Sequence, residues 1–212
     1  SEVNFENATQ LDALTISMIE MDEYKFDRII STNIEQIGFE RTMLEIINPF
    51  LEKLSLLWLT GSINPAQEHF ISCLIRQKII VAIDKTPVVS NPDASKFLLY
   101  LPEGAADELS LLFLHYIIKS RGNRVIYLGQ DIPLQDVKAV YNIHHPQYIY
   151  TIISEVFTKE PAQRYVDKLC YQFPDSDVLL TGYRVLAQPI KCPENADIHP
   201  SLDKTIEFLN QI

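Results

Sequence analysis

Glycine and cysteine are scarce in this 212-residue chain, which contains six glycines and three cysteines. So few glycines leave little room for loops that cradle phosphate, and the sequence has no P-loop, no GxGxxG fingerprint and no Gly-x-Ser-x-Gly elbow. Cys73, Cys170 and Cys192 are odd in number and widely spaced, which argues against a disulfide framework and against a thiolate metal site. We therefore expect a cytoplasmic protein that is not an enzyme and that has no metal site built from its own side chains.

Basic residues are also few, because 18 lysines and arginines stand against 28 aspartates and glutamates, giving a net charge of -10. Such a chain repels the phosphate backbone of nucleic acids. We expect contact with DNA only through a further domain that would precede Ser1. Long apolar runs are missing as well, since none approaches the roughly 20 residues that span a bilayer, and no membrane association is expected.

Residues 1–85 have helical periodicity and predict an antiparallel four-helix bundle. Gly38 is placed to end the second helix. The third helix is predicted from about Phe39 to Leu59, with Trp58 on its inner face and a kink at Pro49. Apolar residues at helical spacing support the second and third helices: Phe26, Ile29, Ile30, Ile34, Ile37, Met43, Ile46, Ile47, Phe50, Leu51 and Leu54.

The fourth helix has a strong start signal in the sequence. Asn64 can cap it, and Gln67 stands three residues after the cap, as in a capping box. Glu68 and His69 therefore fall in its first turn. Trp58 closes the preceding helix, ten residues before Glu68. A short turn is thus predicted to bring a flat aromatic ring, a carboxylate and an imidazole together.

Residues 86–96 contain Thr-Pro and Ser-Asn-Pro-Asp without periodicity, which predicts a linker. In residues 97–212 short apolar runs alternate with helical patterns, as is typical of a parallel sheet with right-handed crossovers. The predicted fold class is α + α/β, a four-helix bundle cap followed by a doubly wound five-stranded parallel sheet of Rossmann-like or flavodoxin-like type. Ligands of such sheets bind beyond the carboxyl ends of the strands. The loops expected there are Pro102 to Asp107, Gly129 to Pro133, Ser154 to Glu160 and Thr181 to Arg184.

Several motifs are shared with a known family. In the helical part they are the stretches Gly38–Met43 and Gly61–His69, and in the sheet part Arg121–Gly129 with Asp131–Pro133. On these residues the chain resembles the cobalamin-binding, methionine synthase-like effector domain of MerR-type transcriptional regulators. The resemblance spans nearly the whole chain, and the motif in the helical part is the more specific one.

The resemblance implies a ligand-facing role for three residues of the helical part. In that family a tryptophan and a Glu-His pair at this spacing cover the upper face of the corrin, which corresponds to Trp58, Glu68 and His69. The cofactor that it implies is cobalamin. The alternative reading is structural: Trp58 would be a core aromatic, and Glu68 would be favoured by the dipole at the helix N-terminus.

In the sheet part the resemblance is incomplete. Family members hold cobalt from below with the histidine of a Glu-x-His-x-x-Gly loop, but here the histidine position is Asp107 and the glycine position is Ser110. Asp107 is predicted to cap the next helix, with its carboxylate satisfied there. The family's serine motif falls near Thr151, and its Gly-Gly turn becomes Thr181 and Gly182, where the side chains of Ser110 and Thr181 would narrow the slot for the nucleotide tail. The cofactor-binding residues implied are Trp58, Glu68, His69, Asp107, Ser110, Thr181 and Gly182.

The leading hypothesis from the sequence is a sensory or effector domain of a MerR-type transcriptional regulator. Cobalamin would bind without a histidine of the protein below the cobalt. The ligand would act by changing self-association, so a homo-oligomer is expected. Two alternatives stay open: a corrinoid carrier protein of a methyltransferase system, and a cofactor-free dimerisation or protein-interaction domain of this fold.

Overall fold

The structure is a computed structural model, which describes the backbone of residues 2–154 and 160–212 and the side chains of residues 6–154 and 160–212. The chain divides into two compact units, residues 1–82 and residues 83–212. They are called the helical unit and the sheet unit below. Among the described residues, none of the helices combines the length and the apolar character that a membrane span requires.

The described part of the helical unit is the predicted antiparallel bundle of four helical segments. The segments are α1 (Glu2–Ile19), α2 (Glu23–Ile37), a third made of α3 (Phe39–Thr42), a π-helical turn (Met43–Ile47) and α4 (Asn48–Leu59), and finally α5 (Pro65–Lys85). Asp22 caps α2 by accepting a hydrogen bond from the Lys25 N–H at 3.0 Å. Gly38, with a φ of 84°, ends α2 as predicted, because glycine adopts this conformation without steric cost.

Where the sequence predicts a kink at Pro49, the structure has the π-helical turn Met43–Ile47. Proline has no N–H to donate to the carbonyl four residues earlier, so a regular α turn would lose a hydrogen bond here. In the wider turn the Asn48 N–H donates to the Met43 carbonyl, five residues back. The helix therefore continues past the proline, and Phe50 beyond it is fully buried.

The core of the helical unit stops one turn before the end of α4. In that last turn Leu56, Trp58 and Leu59 are 66%, 47% and 81% exposed. The prediction that Trp58 lies on the inner face is therefore wrong, because the buried stripe of the helix ends at Leu54. The buried apolar residues come from every segment: Leu14, Met18, Phe26, Ile30, Met43, Ile46, Ile47, Phe50, Leu54, Ile71, Ile75 and Ile79.

The sheet unit alternates strands and helices in the predicted manner. Its elements are β1 (Lys96–Pro102), α6 (Glu108–Ser120), β2 (Arg124–Ile132), α7 (Leu134–His144), β3 (Tyr148–Ile152), α8 (Ala162–Gln172), β4 (Asp177–Thr181), α9 (Tyr183–Leu186), β5 (Ala196–Ile198) and α10 (Leu202–Leu209). In the described residues the strands form one parallel sheet in the order β2-β1-β3-β4-β5. This is the flavodoxin-like order, and the predicted five-stranded, doubly wound sheet is confirmed.

Hydrogen bonds between buried hydroxyls join helices to both faces of the sheet. The Tyr100 hydroxyl of β1 lies 2.6 Å from that of Tyr165 on α8. The Tyr150 hydroxyl of β3 lies 2.6 Å from that of Thr205 on α10, and burial raises the pKa of Tyr150 to about 12. Tyr100 pairs with Thr151, the neighbour of Tyr150, so the two tyrosines point to opposite faces. Helices α8 and α10 therefore cover different sides of the sheet.

The ring of His115 on α6 stacks on Tyr127 of β2, with centroids 4.9 Å apart and planes 17° apart. Burial, with a smaller contribution from the Lys119 charge, lowers the pKa of His115 to about 4. In an unfolded chain this imidazole titrates near a pKa of about 6.5. The stability linked to His115 is therefore complete above about pH 6.5 and is lost as the pH falls towards 4, because the unfolded chain takes up the proton first.

We expect His115→Phe to flatten the dependence of stability on pH. The phenyl ring preserves the stack on Tyr127 and removes the titrating group. Between pH 7 and about 4.5 the variant should therefore lose roughly 1 to 3 kcal/mol less unfolding free energy than the unchanged protein. Urea unfolding at a series of pH values measures the difference, and equal losses in the two proteins would contradict it. A residual dependence should persist in both, because burial also lowers the pKa of His199.

Candidate functional site

Two consecutive helix-end motifs build the turn between α4 and α5, and the first of them closes α4. The Ser62 N–H donates to the Leu57 carbonyl at 3.0 Å, and this bond closes a loop of six residues. The Gly61 N–H donates to the Trp58 carbonyl, also at 3.0 Å, and Gly61 has a φ of 71°. This is a Schellman motif, which needs a residue in the left-handed region just after the helix. Glycine at position 61 therefore fixes where the chain leaves α4.

The second motif is the predicted capping box, which opens α5. The Gln67 N–H donates to Asn64 Oδ1 at 2.9 Å, and the Asn64 N–H donates to Gln67 Oε1 at 3.0 Å. Gln67 also donates through Nε2 to the Ile19 carbonyl at the end of α1, at 3.2 Å. The predicted cap at Asn64 is confirmed. The turn is thus fixed at both ends and tied to a neighbouring helix.

Trp58, Glu68 and His69 border this turn, and none of the three side chains is part of the buried core. Trp58 is 47% exposed, Glu68 is half-buried and His69 is exposed. The alternative reading of Trp58 as a core aromatic is therefore wrong. Because Trp58 lies in the last turn of α4 and the Glu-His pair in the first turn of α5, the turn brings all three to one end of the helical unit. That end presents an indole, a carboxylate and an imidazole to solvent.

At the carboxyl edge of the sheet, Asp107 and Ser110 are exposed at the start of α6. Asp107 occupies the predicted N-cap position, but its side chain makes no capping hydrogen bond to the first turn of α6, a turn that the structure describes in full. The prediction that the cap satisfies this carboxylate is wrong. The physical reason is exposure, since a carboxylate at the surface can be satisfied by water or by other groups than the helix N–H groups.

Thr181 and Gly182 lie at the same edge, where β4 gives way to α9. Gly182 has φ 109° and ψ 162°, a region that is open essentially to glycine. A Cβ at Gly182 would lie 2.5 Å from the carbonyl oxygen of Ile153. The Ile153 N–H donates to the Thr181 carbonyl at 2.8 Å, and the Arg184 N–H donates to the Ile153 carbonyl at 3.1 Å. The backbone after β3 therefore touches the turn after β4.

Thr151, near which the family's serine motif is expected to fall, has its side chain engaged inside the sheet. Thr151 is fully buried and donates through Oγ1 to the Tyr100 carbonyl at 2.8 Å. Ser154, which the sequence predicts only as the start of the loop Ser154 to Glu160, is half-buried and follows Ile153, the residue that Gly182 touches. The apolar run in the sequence continues to Ile153, one residue past the end of β3 at Ile152, so the sequence does not mark where the strand ends. Most of the predicted loop Ser154 to Glu160, residues 155–159, lies outside the described residues.

The thiols of the sheet unit are poor nucleophiles and poor metal ligands. Burial raises the pKa of Cys170 to about 12, and burial also raises the pKa of Cys192. Both therefore stay protonated at neutral pH. In the described side chains, no group of three or more His, Cys, Asp or Glu residues is arranged to hold a metal ion.

Comparison with known proteins finds a family match within the helical unit. Residues 10–82 match the model of the B12 binding domain family. The HTH-type transcriptional repressor CarH of Myxococcus xanthus is 26% identical over 105 residues, which are 50% of this chain and 34% of that protein. The chain thus spans about a third of the length of this curated relative. The resemblance inferred from the sequence motifs is confirmed.

One solved structure supports the fold. The monomethylamine corrinoid protein of Methanosarcina barkeri has a TM-score of 0.72 at 12% identity, covering 97% of this chain and 100% of that chain. At this identity the likeness shows the fold alone. A cobalamin-binding protein of Desulfitobacterium hafniense DCB-2 has a TM-score of 0.43 at 18% identity, covering 95% of this chain and 97% of that chain.

We expect Gly182→Ala to destabilise the sheet unit strongly. The added methyl would overlap the Ile153 backbone, which cannot move aside like a flexible side chain, so the cost should be at least about 3 kcal/mol. Gly122→Ala is the matched control, because its φ is also positive, at 81°, but no described atom lies within 4 Å of the Cβ position. That variant should lose about 1 kcal/mol. Urea unfolding measures both, and equal losses would contradict the close approach.

Proposed function

We propose that this chain is a cobalamin-binding effector domain of a MerR-type transcriptional regulator. The observation that carries the proposal is the solvent-facing set of Trp58, Glu68 and His69, held around one doubly capped turn within the stretch that matches the B12 binding domain family. CarH, a curated relative, is a transcriptional repressor. Together these findings support a sensor of a corrinoid ligand.

The chemistry of the three side chains fits a corrin. The macrocycle is broad and flat, so an exposed indole can cover part of its face by stacking. Its rim carries amide groups, which a carboxylate can accept from and an imidazole can donate to. Trp58 would supply the stacking surface, and Glu68 and His69 the hydrogen bonds. Bound cobalamin would supply a cobalt centre with an exchangeable ligand, whose state the regulator would report.

Asp107 is proposed not to act as a cobalt ligand. A carboxylate is a harder ligand than the neutral imidazole of the resembling family. It is exposed here at the N-cap position of α6. We propose that cobalamin binds without a protein ligand below the metal. Ser154, Thr181 and Gly182, brought together by the contact of Gly182 with Ile153, would line the place of the nucleotide tail, with Ser110 near the start of α6.

The proposed partners of this chain rest on its net charge and on its similarity to CarH. The net charge of -10 supports assigning contact with DNA to another domain of the regulator, not to this chain. Self-association into a homo-oligomer would couple ligand state to DNA binding, because a change in spacing of linked DNA-binding domains changes their joint affinity.

Trp58→Ala and His69→Ala should each weaken cobalamin binding by about tenfold or more, because stacking area or a hydrogen bond is lost from a site that the turn holds in place. The measurement is a titration with hydroxocobalamin in the dark, followed by visible absorbance that comigrates with the protein. Tyr171→Ala and His144→Ala are the matched controls, since each removes an exposed ring from the sheet unit. Undiminished binding in both test variants, or no binding by the unchanged protein, would refute the proposal.

Asp107→Ala should leave the affinity for hydroxocobalamin within about twofold, because the proposal gives its carboxylate no bond to the cobalt. A thermal melt serves as the control for folding, and loss of a capping bond should not contribute to any change in it, since this N-cap side chain makes no hydrogen bond to the first turn of α6. The same absorbance titration, with a thermal melt of the ligand-free protein, measures both. A tenfold loss of affinity with an unchanged melting temperature would show that Asp107 contacts the ligand.

A further inference from the structure

The end of β2 has an unusual backbone at the sheet edge that faces the β1–α6 connection. Its register against β1 shifts twice, between Leu99 and Tyr100 and between Tyr100 and Pro102, so β2 carries extra residues there. Gly129 has a φ of 81°, and Asp131 has a φ of 60°. Positive φ is uncommon for a residue with a side chain, and bulges of this kind re-aim side chains next to functional sites.

The side chain of Asp131 uses this geometry to reach across to the neighbouring loop. Its Oδ1 accepts a hydrogen bond from the Gly104 N–H at 2.8 Å. Gly104 lies in a tight turn, with a φ of 86°, that is closed by a bond from the Ala105 N–H to the Pro102 carbonyl at 2.9 Å. The strained residue of β2 thus holds the first part of the β1–α6 connection.

A second side chain of β2 holds the other end of the same connection. The Tyr127 hydroxyl donates to Glu108 Oε1 at 3.1 Å, and Glu108 is the first residue of α6. The Tyr127 ring is itself held in place by the stack on His115. Asp107 therefore lies between two points, Gly104 and Glu108, that are both fixed by β2.

We infer that β2 clamps the β1–α6 connection at both ends and that Asp131 is the positioning residue of this clamp. The hydrogen bond from the Gly104 N–H to the Asp131 carboxylate offsets the cost of the strained backbone at Asp131. It holds a loop at the carboxyl edge of the sheet, where ligands of doubly wound sheets bind. The clamp fixes the loop before a ligand arrives, so binding does not have to order it. The expected effect of the clamp on ligand binding rests on the proposed function.

Two substitutions at position 131 separate the hydrogen bond from the backbone conformation. Asp131→Gly adopts a φ of 60° without strain but removes the acceptor, whereas Asp131→Asn keeps an Oδ1 acceptor and tolerates the left-handed region. If Asp131 only supported the fold, its replacement by glycine would lower the stability of the protein. The clamp instead predicts an unchanged overall stability together with a released loop, because relief of the backbone strain offsets the lost hydrogen bond.

Amide hydrogen exchange of the ligand-free protein tests the clamp directly. In Asp131→Gly the Gly104 amide should exchange about tenfold faster, with the melting temperature unchanged or raised, and in Asp131→Asn it should exchange as in the unchanged protein. Tyr127→Phe keeps the stack on His115 and removes the hydroxyl, so it should speed exchange at the start of α6 and leave Gly104 protected. Unchanged exchange at Gly104 in Asp131→Gly, or faster exchange only in step with a lower melting temperature, would overturn the clamp.

Hydroxocobalamin affinity provides the ligand arm of the experiment. Asp131→Gly should bind about tenfold more weakly, because the released loop must be ordered on binding, and Asp131→Asn should bind normally. Unchanged affinity in Asp131→Gly would overturn the role of the clamp in the ligand site. If the unchanged protein binds no cobalamin, the proposed function fails, and the exchange of the Gly104 amide alone decides for or against the clamp.

Discussion

The pair of hydrogen bonds between Asn64 and Gln67 is the interaction on which the candidate site depends most. These bonds satisfy two N–H groups that the first turn of α5 would otherwise leave without a backbone partner. They also fix the direction in which α5 leaves the turn, and with it the position of Glu68 and His69. Gln67 also fixes the turn in a second way, because its side-chain Nε2 donates a hydrogen bond to the Ile19 carbonyl at the end of α1. A site built on helix ends in this way is rigid without being part of the core.

Local signals in the sequence predict the parts of the fold that depend on neighbouring residues. The stop at Gly38, the cap at Asn64 and the alternation of strands and helices all follow from steric and hydrogen-bonding rules that act over a few positions. The exposure of Trp58 could not be predicted in this way. Apolar spacing continues to the end of α4, but burial also requires partner helices that extend as far, and the buried stripe ends at Leu54.

The detailed contacts at the sheet edge could not be predicted for a related reason. Whether Asp107 caps α6, and whether Thr151 or Ser154 faces the edge, depends on where a strand ends and how a loop is held. A shift of one residue moves a side chain to the opposite face of a strand. The contact of Gly182 with Ile153 and the bond from Gly104 to Asp131 join segments that are far apart in sequence, so no local pattern encodes them.

The π-helical turn Met43–Ile47 has a consequence for how the length of this chain can vary. A π turn holds one residue more than an α turn, while the helix on either side keeps its phase. The loss of one residue within this turn would convert it to regular α-helix, in which Pro49 leaves one carbonyl without its helical partner, but it would not rotate Phe50 out of the core or turn Trp58 away from its end of the bundle. A single-residue change in length at this place therefore costs a hydrogen bond at the proline and leaves the phase of the helix beyond it unchanged.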